Sequence, residues 1–340
     1  MEAPVKKERL FYLDFVRAIA TIVIIITHYN ALFLYTNPQM PHKAVISPYV
    51  ANIYIGDFGV SLFLIISGAA LMYVYEEKLN LLVFYKKRFL NIYPMFWIAY
   101  SAVFLIRFFE HQGFWMKAPL GNFVYTVLGM DAYVGNFGID TFFIVGEWFL
   151  GFIIIYYLIF PLLRFGVNKV PVVMILLSLC SFVAMMYLWK YPVQPSIIIF
   201  TRLPELVFGM VFVKFRKKVT WYVALPSAAV LVVNTILMPQ INNNIQTMYV
   251  GIAAFLMLVF IAEQLKNCKP LCKLSSAVCK YSYAIFIVHH VIILRVADYF
   301  DLYKLTVQES YVVFAGCCFI IIPAAILLYE AHKKVMSIFK

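Results

Sequence analysis

Ten mostly apolar runs, each about 20 residues long, recur along this chain and constrain its fold more than any other feature. A helix rises about 1.5 Å per residue, so each run is long enough to cross the roughly 30 Å hydrocarbon core of a bilayer. The runs lack the alternation of strands, and helices satisfy their own backbone hydrogen bonds in lipid. The sequence therefore predicts an all-α, polytopic membrane helical bundle with transmembrane helices at 10–34, 55–75, 89–109, 142–165, 170–189, 197–214, 219–238, 247–265, 279–298 and 308–331.

Composition excludes a soluble domain. Hydrophobic residues make up 64% of the chain and charged residues 13%, whereas soluble domains have about 45–50% and about 25%. The first run is too long and too polar for a cleaved signal peptide, so we expect it to remain as a signal anchor. We expect residues 1–340 to form a single integral membrane domain without an appended soluble domain. The segment 110–141 is expected to hold a re-entrant or interfacial helix, and the loop 35–54 to form an ordered cap.

The positions of lysine and arginine predict the orientation, because these residues favour the cytosolic side of membrane proteins. If both termini are cytosolic, 20 of the 28 lie on the inner side. Three lie within spans, and the five on the outer side are Lys43, Arg107, Lys117, Lys190 and Lys304. This asymmetry accounts for the net charge of +12. The charge therefore gives no reason to expect nucleic acid as a partner, and membrane lipid is the expected surrounding.

The first span carries charged residues that a membrane helix normally avoids. Arg17 and His28 lie eleven residues apart, so they share a helix face and are separated by about 16.5 Å along the axis. Asp14 lies one turn before Arg17 on nearly the same side. Arg17 either extends to the headgroups, pairs with Asp14, or binds a ligand, whereas His28 either bonds a backbone carbonyl or acts chemically. An imidazole is suited to accept a proton near neutral pH.

Other spans place polar groups between the membrane midplane and the outer leaflet. These are Asp57 and Ser61 in span two, Glu147 and Trp148 in span four, Arg202 and Glu205 in span six, and His289 and His290 in span nine. Arg202 and Glu205 either neutralise each other or bind a ligand, and Glu147 with Trp148 is alternatively an interfacial anchor. His289 and His290 point about 100° apart around their helix, so at least one of them is expected to be structural. The Ser67-Gly68 pair is interpreted as a site of close helix packing.

Five stretches, in order, resemble the bacterial acyltransferase family 3 of integral membrane O-acyltransferases. They are LDFVRAIATIVIIITHY (13–29), SLFLIISGAAL (61–71), FYKKRFLNIYPMFW (84–97), RLPELVFGMVF (202–212) and SYAIFIVHH (282–290). The chain departs from the family pattern at three places. Asn91 stands where a second arginine is usual, Ser61 stands where one subgroup has aspartate, and the acid of span four is Glu147, before the tryptophan instead of after it.

The resemblance implies transfer of an acyl group, usually acetyl, from cytosolic acetyl-CoA to a hydroxyl of a cell-envelope or exported polysaccharide. It implies a multi-pass protein of the bacterial plasma membrane, with a glycan acceptor on the outer side or lipid-linked. His28 is predicted to be the general base or a transient acyl carrier, and Asp14 to orient Arg17. The residues predicted to bind the CoA phosphates are Arg17, Lys86, Lys87 and Arg88. Those predicted to bind the acceptor are Glu147, Trp148, Arg202, Glu205 and His289, and all of these except Trp148 are alternatively predicted to tune His28.

Two other functions fit the same residues. A transporter or flippase of a glycan or lipid-linked precursor would also need charges inside the membrane, although the sequence has no internal repeat of the kind seen in many transporters. An inactive scaffold within a polysaccharide synthesis complex is the third possibility. No metal is expected, because Cys268, Cys272 and Cys279 lack the paired spacing of a zinc site and are interpreted as inert thiols. The acceptor, the acyl chain and the oligomeric state are left open.

Overall fold

The computed structural model describes residues 8–215 and 218–338. Within this part of the chain it contains twelve α-helices: α1 Phe11–Leu34, α2 Ile55–Tyr75, α3 Leu81–Glu110, α4 Phe123–Val127, α5 Asp131–Gly135, α6 Trp148–Lys169, α7 Pro171–Leu188, α8 Ile199–Phe215, α9 Trp221–Leu237, α10 Asn243–Leu265, α11 Lys269–Ala297 and α12 Val307–Ile338. Five cations counted above toward the inner side lie outside the described residues: Lys6, Lys7, Arg216, Lys217 and Lys340.

The helices confirm the predicted all-α membrane bundle. Each of the ten predicted spans corresponds to one long helix, and eight of these helices are long and apolar enough to cross a membrane. The exceptions are α8 and α9, which have 17 residues each. At about 1.5 Å per residue these two are shorter than the roughly 30 Å hydrocarbon core. α9 is apolar, whereas α8 contains Arg202 and Glu205.

Three predicted helix starts differ from the structure by six residues or more. α11 begins at Lys269, ten residues earlier than predicted, so Cys279 and Lys280 lie well inside a helix. α3 begins at Leu81, eight residues earlier than predicted, because the Asn80 side chain caps it by accepting a hydrogen bond from the Val83 amide (3.1 Å). Lys86, Lys87 and Arg88 therefore lie on α3 and not in a loop. α6 begins at Trp148, six residues later than predicted.

The two segments predicted to lie on the outer side contain short helices and strands. The loop 35–54 contains a two-residue hairpin in which β1 Tyr49–Val50 pairs antiparallel with β2 Ile53–Tyr54. Its turn residues Ala51 and Asn52 have φ of 44° and 60°, the left-handed pair typical of a tight hairpin turn. The segment 110–141 contributes α4 and α5. Burial raises the pKa of the Asp131 carboxyl in α5 to about 6, and Thr126 Oγ1 in α4 donates to it at 3.0 Å.

α1 and α2 pass through the centre of the bundle. α1 packs between α2, α10 and α11, with Val16, Ala20 and Phe33 fully buried. α2 packs closely on α8, as the Ser67-Gly68 pair predicts. A methyl group on Gly68 would meet the Leu206 carbonyl, and one on Gly209 would meet the Ile65 carbonyl. Only glycine permits this backbone approach, which is the usual way that membrane helices come into close contact.

Candidate active site

Three imidazoles and one carboxylate form a cluster inside the bundle, which we call the histidine cluster: His28 of α1, Glu147 before α6, and His289 and His290 of α11. The His28 ring centroid lies 4.8 Å from each of the other two histidine rings. Glu147 Oε1 pairs with His290 Nδ1 and lies 3.9 Å from His28 Nδ1. One carboxylate therefore faces two imidazoles from different helices.

The local backbone explains why Glu147 reaches this position. Gly146 has φ of 89°, a conformation that other residues rarely adopt, and it turns the chain before α6 begins. Glu147 is the N-cap residue with extended dihedrals, but its side chain makes no capping bond to its own helix. The carboxylate instead extends to His290 of α11. Because α6 begins at Trp148, later than sequence periodicity predicts, the Glu147 side chain lies before the helix and can contact His290.

The two adjacent histidines of α11 have different hydrogen bonds. His289 is fully buried, and its Nδ1 lies 3.1 Å and 2.9 Å from the carbonyls of Ile285 and Phe286. This nitrogen is therefore the donor, which leaves Nε2 as an acceptor, and Nε2 has no hydrogen-bond partner in the described residues. The sequence-based expectation that at least one of His289 and His290 is structural stays a prediction. His28 fits between the two rings, so positions 100° apart on α11 both reach it.

The cluster is partly accessible. The side chains of His28, Glu147 and His290 are 22%, 13% and 27% exposed, so a substrate group can reach them without unfolding the site. These three residues also offer one ligand atom each within 4.8 Å of one another, a donor set that suits zinc. In the structure, however, Glu147 and His290 are in direct contact. A metal ion would have to separate this pair.

A polar cavity of about 330 Å³ lies on the predicted cytosolic side of this cluster, and we call it the inner cavity. Arg17, Ser67 and Arg88 line its polar part, and aromatic residues including Phe149 and Phe286 line the rest. Arg88 Nε is buried without a partner in the described residues. The Phe286 ring centroid lies 6.2 Å from that of His289, so the aromatic end of the cavity adjoins the histidine cluster.

A second cavity of about 820 Å³ lies between the first half of α3, the middle of α11 and the end of α12, and we call it the basic cavity. Its lining includes five basic side chains: Lys86, Lys87, Lys280, His332 and Lys333. Asn91 and Tyr283 line both this cavity and the inner cavity. The structure thus divides the four predicted phosphate ligands between two adjoining cavities, Arg17 and Arg88 in one, Lys86 and Lys87 in the other.

The surroundings of Arg17 differ from those expected. Asp14 forms an ion pair with Arg9 and does not contact Arg17 directly. The Cys279 thiol lies between them: Arg17 donates to its sulfur at 3.3 Å, and the thiol donates to Asp14 Oδ1 at 3.2 Å. Hydrogen bonds therefore link Asp14 to Arg17 through Cys279. The sequence interpretation of Cys279 as an inert thiol did not anticipate this contact.

A second charged group lies between α2 and α8, and we call it the arginine cluster: Asp57, Arg202 and Glu205. Arg202 and Glu205 have side chains only 2% and 1% exposed and approach to 3.1 Å. Arg202 also donates to the Ser196 carbonyl at 2.9 Å and lies 3.6 Å from Asp57. The sequence left two alternatives open for Arg202 and Glu205, mutual neutralisation or ligand binding. The geometry is that of two side chains that neutralise each other. Their predicted role in acceptor binding stays a prediction.

Trp148 lies apart from the imidazoles although it follows Glu147 in sequence. It packs on a small apolar cluster of Val193, Ile197 and Ile198 at the outer end of α7 and α8. The sequence-based search missed His290, Lys280, His332 and Lys333 as site residues. The HH dipeptide signalled His290, but the three cavity cations lie in segments that carry no recognisable motif, so only the helix packing reveals them.

Comparison with known proteins gives one match. The family described as "Acyltransferase domain" matches residues 10–330, nearly the whole chain. No curated protein and no solved structure matches the chain.

Proposed function

The chain belongs to acyltransferase family 3, and from that premise we propose that it transfers an acetyl group from cytosolic acetyl-CoA to a glycan hydroxyl at a bacterial plasma membrane. One observation carries this proposal beyond the family's general activity. The basic cavity and the inner cavity adjoin, with Asn91 and Tyr283 lining both, and Phe286 of the inner cavity is a neighbour of His289 in the histidine cluster. This arrangement suits a donor whose phosphate-rich end binds in the cavities with basic side chains and whose long, thin arm extends toward the histidine cluster.

The proposed donor position follows from charge. The phosphates of CoA contact the lysines of the basic cavity and the guanidinium groups of Arg17 and Arg88, because charge-assisted bonds to phosphate are strong and arginine forms them bidentately. The uncharged pantetheine arm then occupies the aromatic part of the inner cavity. Its thioester reaches the side of the histidine cluster where Phe286 adjoins His289.

The proposed reaction needs one base and one leaving group. His28 accepts the proton of the acceptor hydroxyl while the hydroxyl oxygen attacks the thioester carbonyl carbon. The carbon–sulfur bond then breaks, and the departing CoA thiolate takes the proton from the His28 imidazolium. Glu147, 3.9 Å from His28 Nδ1, stabilises that cation, and its pairing with His290 fixes the carboxylate in place. Isolation of acetylated His28 in the absence of acceptor would replace this direct route with a two-step transfer.

The experiment that tests the function compares ester-linked acetyl on envelope glycans in a gene-deletion strain. Rescue by the wild-type chain and failure of His28→Ala at matched protein level is the expected result, because general-base catalysis contributes about 10²–10⁴-fold. Equal rescue by both chains would contradict the role of His28. A change in glycan export with unchanged acetylation would favour a transporter.

The donor position has its own test. Arg88→Ala is expected to weaken binding of acetyl-CoA by about tenfold or more, but to leave binding of acetyl-pantetheine unchanged, because only the first ligand carries the nucleotide phosphates. Lys169→Ala on α6, an exposed inner-side cation outside both cavities, is the matched control and should change neither affinity. An equal loss of both ligands would contradict the assignment of Arg88 to phosphate.

A further inference from the structure

An apolar slot of about 400 Å³ lies between α3, α11 and α12, on the outer side of the histidine cluster. Aliphatic side chains line it, among them Val103, Val291, Ile320 and Ala324. Ile106 and Ile320 on its wall are 57% and 45% exposed, so the slot opens onto the lipid-facing surface. Its volume lies within the range of about 300–1,000 Å³ typical of ligand pockets.

α3 and α11 contact each other through polar side chains at two heights along their axes. The slot is the gap between the two helices in the region that separates these contacts. On the cytosolic side, the Tyr283 hydroxyl of α11 donates to the Ile92 carbonyl of α3 at 3.1 Å. At the outer end, Arg295 of α11 forms an ion pair with Glu110 of α3 and another with Asp298 at 3.2 Å. The two ties hold the helices at a fixed spacing, and the apolar slot is the space that remains.

The wall of the slot is continuous with the histidine cluster. Val145, two residues before Glu147, and Ile287 and Val288, which precede His289, all line it. Arg295 follows His290 by five residues, or about 7.5 Å along the helix. A group held at the outer end of the slot is therefore within reach of the proposed catalytic imidazoles.

One cation at the outer rim is available for a ligand. Arg295 is neutralised by Glu110 and Asp298, but Arg107, which also lines the slot, has no side-chain partner in the described part of the chain. Arg107 lies about 24 Å along α3 from Asn91 of the donor cavities, so it is too distant to serve a CoA phosphate. An apolar channel that ends in an unpaired guanidinium has the chemistry of a lipid site with an anionic headgroup.

Building on the function proposed above, we infer that the acceptor is a glycan carried on a single-chain lipid phosphate. The chain lies in the slot, the phosphate contacts Arg107, and the sugars next to the phosphate fold back toward His28, His290 and Glu147. The acyl tail of a long-chain donor is the competing occupant. A long acyl tail of the donor fits the rim less well than a lipid phosphate does. Such a tail would enter the slot from the side of the histidine cluster, so its terminal methyl group would face Arg107.

The test uses photo-crosslinking to the purified full chain in lipid nanodiscs. The probes are a diazirine-bearing polyisoprenyl phosphate, the corresponding neutral alcohol, a diazirine-bearing phosphatidylglycerol and a diazirine-bearing palmitoyl-CoA. We expect the polyisoprenyl phosphate to label peptides from α3, α11 and α12 about tenfold more than the neutral alcohol does. Stronger labelling there by phosphatidylglycerol or palmitoyl-CoA, or equal labelling by the alcohol, would overturn the inference.

Paired variants localise the contact. Arg107→Gln should abolish the preference for phosphate over alcohol, whereas Lys117→Gln, another outer-side cation that does not line the slot, should not. Ala324→Trp should reduce labelling by filling the slot, whereas Ala315→Trp on an exposed position of α12 should not. Unchanged labelling in both Arg107→Gln and Ala324→Trp would overturn the inference.

Acetyl-CoA binding to the same preparation keeps this test separate from the proposed function. Loss of the phosphate preference with intact acetyl-CoA binding would overturn the lipid-phosphate acceptor alone. A phosphate-selective slot in a protein that does not bind acetyl-CoA would leave the lipid site standing and overturn the acetyltransferase.

Discussion

The histidine cluster and the arginine cluster both place ionisable side chains inside the bundle, but they leave those side chains in opposite states. Arg202 and Glu205 are almost fully buried and directly paired. His28 and His290 are about one quarter exposed, and His289 retains an unbonded ring nitrogen. Burying a charge without a partner is costly, so the first arrangement minimises the cost while the second retains groups that are free to react. The two clusters of this chain thus differ in whether their polar atoms remain accessible and incompletely bonded, which a reacting group requires.

The largest expected effect is a loss of stability on removing one partner of the buried Arg202–Glu205 pair. Its absence would contradict the contrast drawn between the two clusters. Arg202→Met leaves Glu205 as an uncompensated buried charge, so we expect a loss of about 3–5 kcal/mol in the free energy of unfolding. The double variant Arg202→Met, Glu205→Met should recover most of this loss and retain acetyl transfer per folded molecule. Thermal unfolding in detergent, with transfer measured at matched folded protein, checks both. A stable double variant without activity would place the arginine cluster in the reaction.

Matched amide substitutions sharpen the comparison. Glu147→Gln removes the negative charge that is proposed to stabilise the His28 imidazolium but keeps an oxygen that can accept a hydrogen bond from His290. We therefore expect the acetyl-transfer rate to fall about 10–100-fold with little change in the melting temperature. Glu205→Gln, the same change in the arginine cluster, should lower the melting temperature and leave the rate per folded molecule nearly unchanged. A lower melting temperature for Glu147→Gln together with a lower transfer rate for Glu205→Gln would contradict the assignment of the histidine cluster to catalysis and of the arginine cluster to stability. Stopped transfer assays and thermal unfolding of the same preparations provide the measurement.

The smallest effect concerns the helix contact that supports the arginine cluster. Gly68→Ala forces a methyl group against the Leu206 carbonyl, and we expect a loss of about 1–3 kcal/mol in stability. Gly316→Ala in α12, where a methyl group meets nothing within 4 Å, is the control. It should be neutral or stabilise by about 0.5–1 kcal/mol. Equal destabilisation by both would mean that close packing of α2 on α8 does not determine stability.

Sequence periodicity predicts most of this fold, because lipid-facing helices are apolar over their whole length. It fails where a few residues override it: Asn80 starts α3 early, and Gly146 ends the irregular stretch before α6. For the site, the shared helix face of Arg17 and His28 follows from one helix. The pairing of Glu147 with His290, and the Cys279 thiol between Arg17 and Asp14, depend on how distant helices pack. No local pattern contains that information.

The short, charged α8 has a consequence for how the protein is made. Its 17 residues include Arg202 and Glu205 in the first half, and charges within a span are costly to insert, by about 2.5–3.5 kcal/mol at the span centre. Both charges gain partners from within α8 itself, and Arg202 gains Asp57 from α2, a helix synthesised much earlier. We therefore expect α8 to be stable in the membrane only once α2 is packed beside it.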